Sequence, residues 1–252
     1  MRIKLEFVSG RDVVLPTGYY KYLQALVYNF FSSSIGRFIH EKGFENFGNR
    51  VYKFFCFSSP LERAQYDNVR KTFNFGKEIS FYVASPIDWI MEDILRNSLA
   101  RTKFELGRNK LYLTTVTLVS EDSIKSRKIE IKALTPIEVH STVELNGKKT
   151  IYYSPFEREF KTLVNKNLQH KWEALRGEGC PYELHIEPLF TSFNNKRIVY
   201  YGFGKKRFLI EGWVGNYLLE GEPEFLNFAY NVALGSRNSQ GFGFIDLVRE
   251  YS

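Results

Sequence analysis

Only two of the 252 residues are cysteines, Cys56 and Cys180, and they lie far apart in the chain. Two thiols cannot build a disulfide framework or supply a four-ligand zinc site, so a reducing cytoplasm is the expected compartment. Long hydrophobic runs are also missing. None approaches the roughly 18–20 apolar residues that span a bilayer, and no membrane is expected as a partner. The opening residues, MRIKLEFV, alternate charged and apolar side chains and lack the hydrophobic block of a secretion signal. Short repeats and low-complexity tracts do not occur. His140, His170 and His185 show no metal-ligand spacing with one another or with Cys180. They read as structural or surface residues, and no metal or other cofactor is expected.

Aromatic residues, in contrast, are abundant: 23 Phe and 16 Tyr bring the aromatic share to 17%. A disordered chain would have far fewer. Formal net charge is +7. Residues 1–125 hold 18 basic and 13 acidic side chains, against 17 and 15 in residues 126–252. The excess is compatible with a polyanionic partner, drawn most strongly to the first half.

Hydrophobic periodicity divides the chain into two similar runs of elements. Arg2–Val8 alternates as a strand. Leu23, Leu26, Val27, Phe30 and Phe31 form a helical stripe over Tyr19–Phe31. Ile35, Phe38 and Ile39 restart that spacing, and Gly43 stops it. Strands are predicted at Val51–Ser58, Glu78–Ala84 and Lys110–Val119, with a helix starting near Pro86. Glu121-Asp122-Ser123 is the best boundary. Beyond it come a strand at Lys128–Val139, interrupted by Pro136, and a helix at Pro155–Leu175. A strand at Tyr182–Pro188 and a hairpin of Arg197–Phe203 with Arg207–Leu219 follow. A helix at Pro223–Leu234 and a strand at Phe242–Val248 close the chain. The expected fold class is α+β: two tandem ferredoxin-like (RRM-like) βαββαβ domains, residues 1–122 and 123–252. That fold hosts many functions and selects none.

The most informative local signal is Gly235-Ser236-Arg237-Asn238-Ser239-Gln240-Gly241-Phe242-Gly243, between a helix and a strand. Its glycines permit positive φ and close approach of a ligand. Successive N–H groups could form an anion nest, reinforced by Arg237. The preceding helix points its negative end at the loop, which opposes phosphate binding. A helix cap followed by a tight turn accounts for the same residues.

The run NVALGSRNSQGFGFIDL resembles the C-terminal glycine-rich signature of the CRISPR-associated RAMP endoribonucleases, specifically the Cas-six family. LVYNF, FIHEKGF and KFFCFS resemble the family's tyrosine helix, histidine segment and lysine strand. TPIEV and FEREFKTLVNKNLQHKWEAL resemble a later strand and helix, so the match runs nearly the whole chain in order. The resemblance implies RNA cleavage that needs no metal, with Tyr28, His40 and Lys53 at the catalytic positions. It implies RNA contacts at Gly235, Ser236, Arg237, Asn238, Ser239, Gly241 and Gly243. CRISPR repeat RNA is the implied partner. Subunits of a CRISPR effector complex and a second copy of the chain are further candidates. A non-catalytic RNA-binding subunit is the alternative function.

Read independently, His40 lies roughly 150° and Tyr28 roughly 130° from the centre of its apolar stripe. Both point away from the main packing face. An exposed histidine, or a tyrosine covering a neighbouring surface, fits as well as a proton-transfer pair. Alternation places Val51, Lys53, Phe55 and Phe57 on one strand face. A lysine there meets an anion or guards a sheet edge. Lys205 and Lys206, at a hairpin tip, could touch phosphate or form a solvated turn.

Overall fold

The computed structural model describes residues 1–45, 50–119, 123–144, 147–202, 204 and 207–251. Its first half runs β1 (Arg2–Val8), β2 (Val14–Pro16), α1 (Tyr20–Tyr28), α2 (Ser33–Glu41), β3 (Phe44–Glu45), β4 (Val51–Tyr52), β5 (Cys56–Phe57), β6 (Gln65–Asp67), β7 (Thr72–Asn74), β8 (Glu78–Ala84), α3 (Asp88–Ala100), β9 (Lys103–Leu106) and β10 (Asn109–Leu118). The second half runs β11 (Lys128–Ile137), β12 (His140–Glu144), β13 (Lys148–Tyr152), α4 (Arg158–Arg176), β14 (His185–Pro188), β15 (Lys196–Tyr201), β16 (Phe208–Glu220), α5 (Pro223–Val232) and β17 (Ile245–Tyr251).

Two antiparallel sheets carry the fold. The first has the order β5-β8-β1-β10-β9, and the second β14-β16-β11-β17 with β15 also paired to β16. With the additional strands β9 and β15 set aside, β1 lies between β8 and β10, and β11 between β16 and β17. In each sheet the first of four strands therefore sits between the third and fourth, the arrangement of a ferredoxin-like βαββαβ unit. Alternation in β1 works as expected: Ile3, Leu5 and Phe7 are buried. Phe7 stacks on Phe81 of β8 at 5.7 Å and meets Phe30 and Phe104 edge-on. The helical stripe Leu23, Leu26, Val27, Phe30 and Phe31 is wholly buried. The α1 helix itself stops at Tyr28, so the two phenylalanines complete the stripe from the following turn.

In α4, Phe160, Val164, Leu168, Lys171 and Trp172 are the buried face, and Gly177 ends the helix at φ 73°. Pro223 opens α5, where a missing N–H costs nothing. The predicted interruption at Pro136 is a register shift between β11 and β16. Tyr82 of the first sheet stacks parallel to Phe244 of the second half, centroids 6.1 Å apart. Arg2, fully buried, lies between Tyr230 and Phe244 and donates to the Tyr230 carbonyl at 2.7 Å. One hydrophobic core therefore continues through both halves. Among the described residues no helix is long and apolar enough to cross a membrane.

Two expectations need correction. Val51–Ser58 is not one strand: β4 and β5 are separated by Phe54, whose φ is 39°. Phe54 packs on Phe44 and Tyr52, while Phe55 packs on Tyr28 and Phe31. A flat strand would send these adjacent rings to opposite faces, and the turn at Phe54 buries both. The last strand begins at Ile245, because Phe242 and Phe244 are drawn into the core from a loop. The hairpin β12–β13 and the small sheet β2-β7-β6 were not visible in the periodicity.

Candidate RNA-cleavage site

Tyr28, His40 and Lys53 come together. Tyr28 ends α1 with its ring edge-on to Phe31 and Phe55. His40, exposed on α2, presents its ring edge-on to Tyr28 at 6.1 Å. Lys53 follows β4, and its Nζ donates to Tyr28 Oη at 3.3 Å. The turn at Phe54 that overturned the strand prediction lies immediately beyond this lysine. Burial pushes the Tyr28 phenol up to about 12, so it is neutral and holds its proton at physiological pH. Burial, and then the charge of Lys21, lower the pKa of Lys53.

The glycine-rich loop is built by close packing. A Cβ on Gly235 would lie 2.4 Å from the Glu138 carbonyl oxygen, and one on Gly243 only 1.8 Å from that of Leu234. A Cβ on Gly241 would strike the rings of Phe57 and Tyr20. Four loop amides are spent internally: Ser236 donates to the Glu138 carbonyl, Gln240 to Arg237, Gly241 to Asn238 and Gly243 to Pro136. Asn238 Nδ2 ties the loop by donating to the carbonyls of Leu234 and Phe242. The Ser239 carbonyl accepts from Gln24 of α1, one turn before Tyr28. An anion arriving here therefore meets Arg237 and neighbouring side chains more than an open nest of amides. Lys171 resolves the unfavourable helix end. Its buried Nζ donates to the carbonyls of Ala233 and Gly235 at 2.8 and 2.9 Å, opposing the negative terminus of α5.

A cleft of about 560 Å³ separates these two features. Arg50 to Phe55 line it from the first half, and His140, Asn167, Lys171 and the Ser236–Gln240 turn from the second. Glu138 sits behind it, completely buried at its side chain. One of its carboxylate oxygens pairs with His140 Nδ1 and lies 3.6 Å from Arg237 Nε. Glu138, Asn167 and Lys171 are not singled out by the sequence, and His140, expected to be structural or at the surface, lines the cleft. The signal available was a glutamate within the apolar run TPIEV, with a histidine two residues later. Lys205 and Lys206 lie outside the described residues.

Residues 119–247 match the family described as CRISPR associated protein Cas6, C-terminal. The chain is 24% identical over 251 residues to CRISPR-associated endoribonuclease Cas6 1 of Methanocaldococcus jannaschii, covering 97% of this chain and 92% of the relative. It is 26% identical over 240 residues to CRISPR-associated endoribonuclease Cas6 of Pyrococcus furiosus, covering 94% and 85%. Among solved structures, a Cas6-related protein from Pyrococcus furiosus superposes with a TM-score of 0.83 at 17% identity, over 100% of this chain and 99% of that one. A RAMP protein binding different RNA substrates gives 0.80 at 17% identity, over 99% and 100%. The family match spans half of the chain and the fold agrees from end to end: the chain belongs to the Cas6 family of CRISPR-associated proteins.

Proposed function

We propose that this chain is an endoribonuclease that cuts CRISPR repeat RNA by transesterification. The observation that carries the reading is the convergence on Tyr28 of Lys53, by a 3.3 Å hydrogen bond, and His40, by ring contact. The ribose 2′-hydroxyl attacks the adjacent phosphorus, leaving a 2′,3′-cyclic phosphate and a 5′-hydroxyl. The nucleophile belongs to the substrate, so the protein's work is orientation, proton transfer and charge stabilisation. His40, exposed and able to reload from solvent, transfers protons. Lys53 stabilises the crowded phosphoryl group. Tyr28, held neutral, orients the substrate by donating a hydrogen bond.

Residues 1–122 act as the domain carrying these groups, and residues 123–252 as the domain supplying the glycine-rich loop and Arg237 for RNA contact. Subunits of a CRISPR effector complex, and a second copy of this chain in a homodimer, are the further proposed partners. The test is cleavage of a CRISPR repeat RNA in EDTA, with the ends mapped. A cyclic phosphate, and no cut when the residue 5′ of the scissile bond lacks its 2′-hydroxyl, are expected. RNA bound but never cut would make the chain a non-catalytic binding subunit.

A further inference from the structure

Asn167, on α4, and Gln240, in the turn of the glycine-rich loop, line the cleft between the halves. Asn167 Oδ1 and Gln240 Oε1 are both buried with no hydrogen-bond partner among the described residues. Buried polar atoms are ordinarily paired, and an orphaned acceptor oxygen asks for a donor. Lys171, a buried donor in the same cleft, is committed to the carbonyls of Ala233 and Gly235, and Arg237 Nε, a further buried donor there, makes no hydrogen bond to either oxygen. Lys53, His140 and Arg237 line the cleft as well, so its walls combine unmet acceptors with cationic and N–H-bearing groups. Tyr52 adds an aromatic wall. A volume of about 560 Å³ admits one nucleotide.

One ligand meets all three demands: a phosphate for the cations, a flat base for the ring and N–H donors for the amide oxygens. We propose that this cleft is a nucleotide subsite that selects an amine-bearing base over uracil, with Asn167 and Gln240 reading the base edge. An exocyclic amine on adenine, cytosine or guanine supplies two N–H donors. Uracil has one N–H, flanked by carbonyl oxygens that would face the protein's own. The proposal rests on the RNA-cleaving reading above and adds to it a sequence preference beside Lys53.

The test uses the intact chain and four probes, the 5′-monophosphates of adenosine, cytidine, guanosine and uridine, titrated by calorimetry. AMP, CMP and GMP are expected to bind about tenfold more tightly than UMP, the worth of one well-made hydrogen bond. Asn167→Leu and Gln240→Met should bring the other three to within about twofold of UMP. Gln240→Glu retains an acceptor oxygen and should keep the ratio, while charge repulsion weakens all four. Should Asn167→Leu fail to fold, the two Gln240 variants read the same contact. Equal affinity for all four probes, no binding at millimolar concentration, or a ratio unmoved by the substitutions would overturn the proposal. A chain that discriminates among the monophosphates but cuts no RNA loses the nuclease reading and keeps the subsite. A chain that cuts RNA without discriminating loses only the subsite.

Discussion

Lys53 Nζ donates a hydrogen bond to Tyr28 Oη across 3.3 Å, joining the residue after β4 to the last residue of α1. The phenol is pushed up to about 12 by burial. A phenol that holds its proton to that pH cannot serve as a base near neutrality, but it can donate to a phosphate or ribose oxygen. Tyr28→Phe keeps the ring contacts with Phe31, Phe55 and His40 and removes only the hydroxyl. Cleavage should slow by about 10- to 100-fold, the cost of one charge-assisted hydrogen bond. The rate–pH profile between pH 5 and 9 should keep its shape and drop in height. A limb that disappears with the hydroxyl would show that Tyr28 ionises in the reaction.

His40 contributes little to packing, since it is exposed beside the buried Ile39 of α2. His40→Ala should therefore leave the melting temperature close to wild type. Loss of a general acid or base costs about 10²- to 10⁴-fold in rate. Single-turnover cleavage should fall by that factor, while RNA affinity in a filter-binding assay stays within about twofold. Cleavage that persists at the wild-type rate would remove His40 from the mechanism.

How much of this could be read from the chain depended on the scale of the feature. Alternation in Arg2–Val8 and the stripe from Leu23 to Phe31 both reported burial correctly, because each is a local pattern facing one core. Positions Tyr28 and His40 were legible as residues pointing off the stripe. What periodicity could not show is that Lys53 reaches Tyr28, since that depends on the turn at Phe54, where two adjacent rings are both buried. Glu138, Asn167 and Lys171 were missed for a related reason. Lys171 is a buried polar residue whose partner, the Ala233 carbonyl, lies far off in sequence, Glu138 lies near the distant Arg237, and Asn167 shares its cleft with the equally distant Gln240. The glycines of the loop were conspicuous, but their purpose was not, because the carbonyls they accommodate come from Glu138 and Leu234.

Gly243 tests that packing role. Its φ is 74°, and an added Cβ would lie 1.8 Å from the Leu234 oxygen. Gly243→Ala should destabilise the fold by about 3 kcal/mol or more through combined strain and backbone displacement. Gly10→Ala, where nothing lies within 4 Å of the added carbon, should change stability by less than about 0.5 kcal/mol. Urea midpoints of the two variants make the comparison, and equal midpoints would refute the packing account.

Arg237 is held at φ 59°, near Glu138 and 5.4 Å from the Phe208 ring centroid. If its guanidinium meets an RNA phosphate, Arg237→Ala should weaken binding and reduce the slope of log affinity against log salt by about 0.7. Arg237→Lys retains the charge and should restore the slope. A slope unchanged in Arg237→Ala would assign the arginine to the internal pair with Glu138 alone.

Lys171 offers a pH test of the loop's anchor. Complete burial lowers its pKa to about 7, whereas an unfolded lysine titrates near 10.4. From about pH 7 to 10 the unfolded chain therefore binds more protons at this position than the native protein does. Stability contributed by Lys171 should rise with pH across that window and be flat below it, where both states are protonated. Lys171→Met keeps an unbranched side chain, removes the titration and leaves the Ala233 and Gly235 carbonyls without their donor. Urea unfolding of both proteins at each pH from 6 to 10 isolates the effect, because other titrating groups cancel in the difference. Wild type minus variant should stay level up to about pH 7 and then grow. A level difference throughout would show that the buried amine keeps its proton across the window.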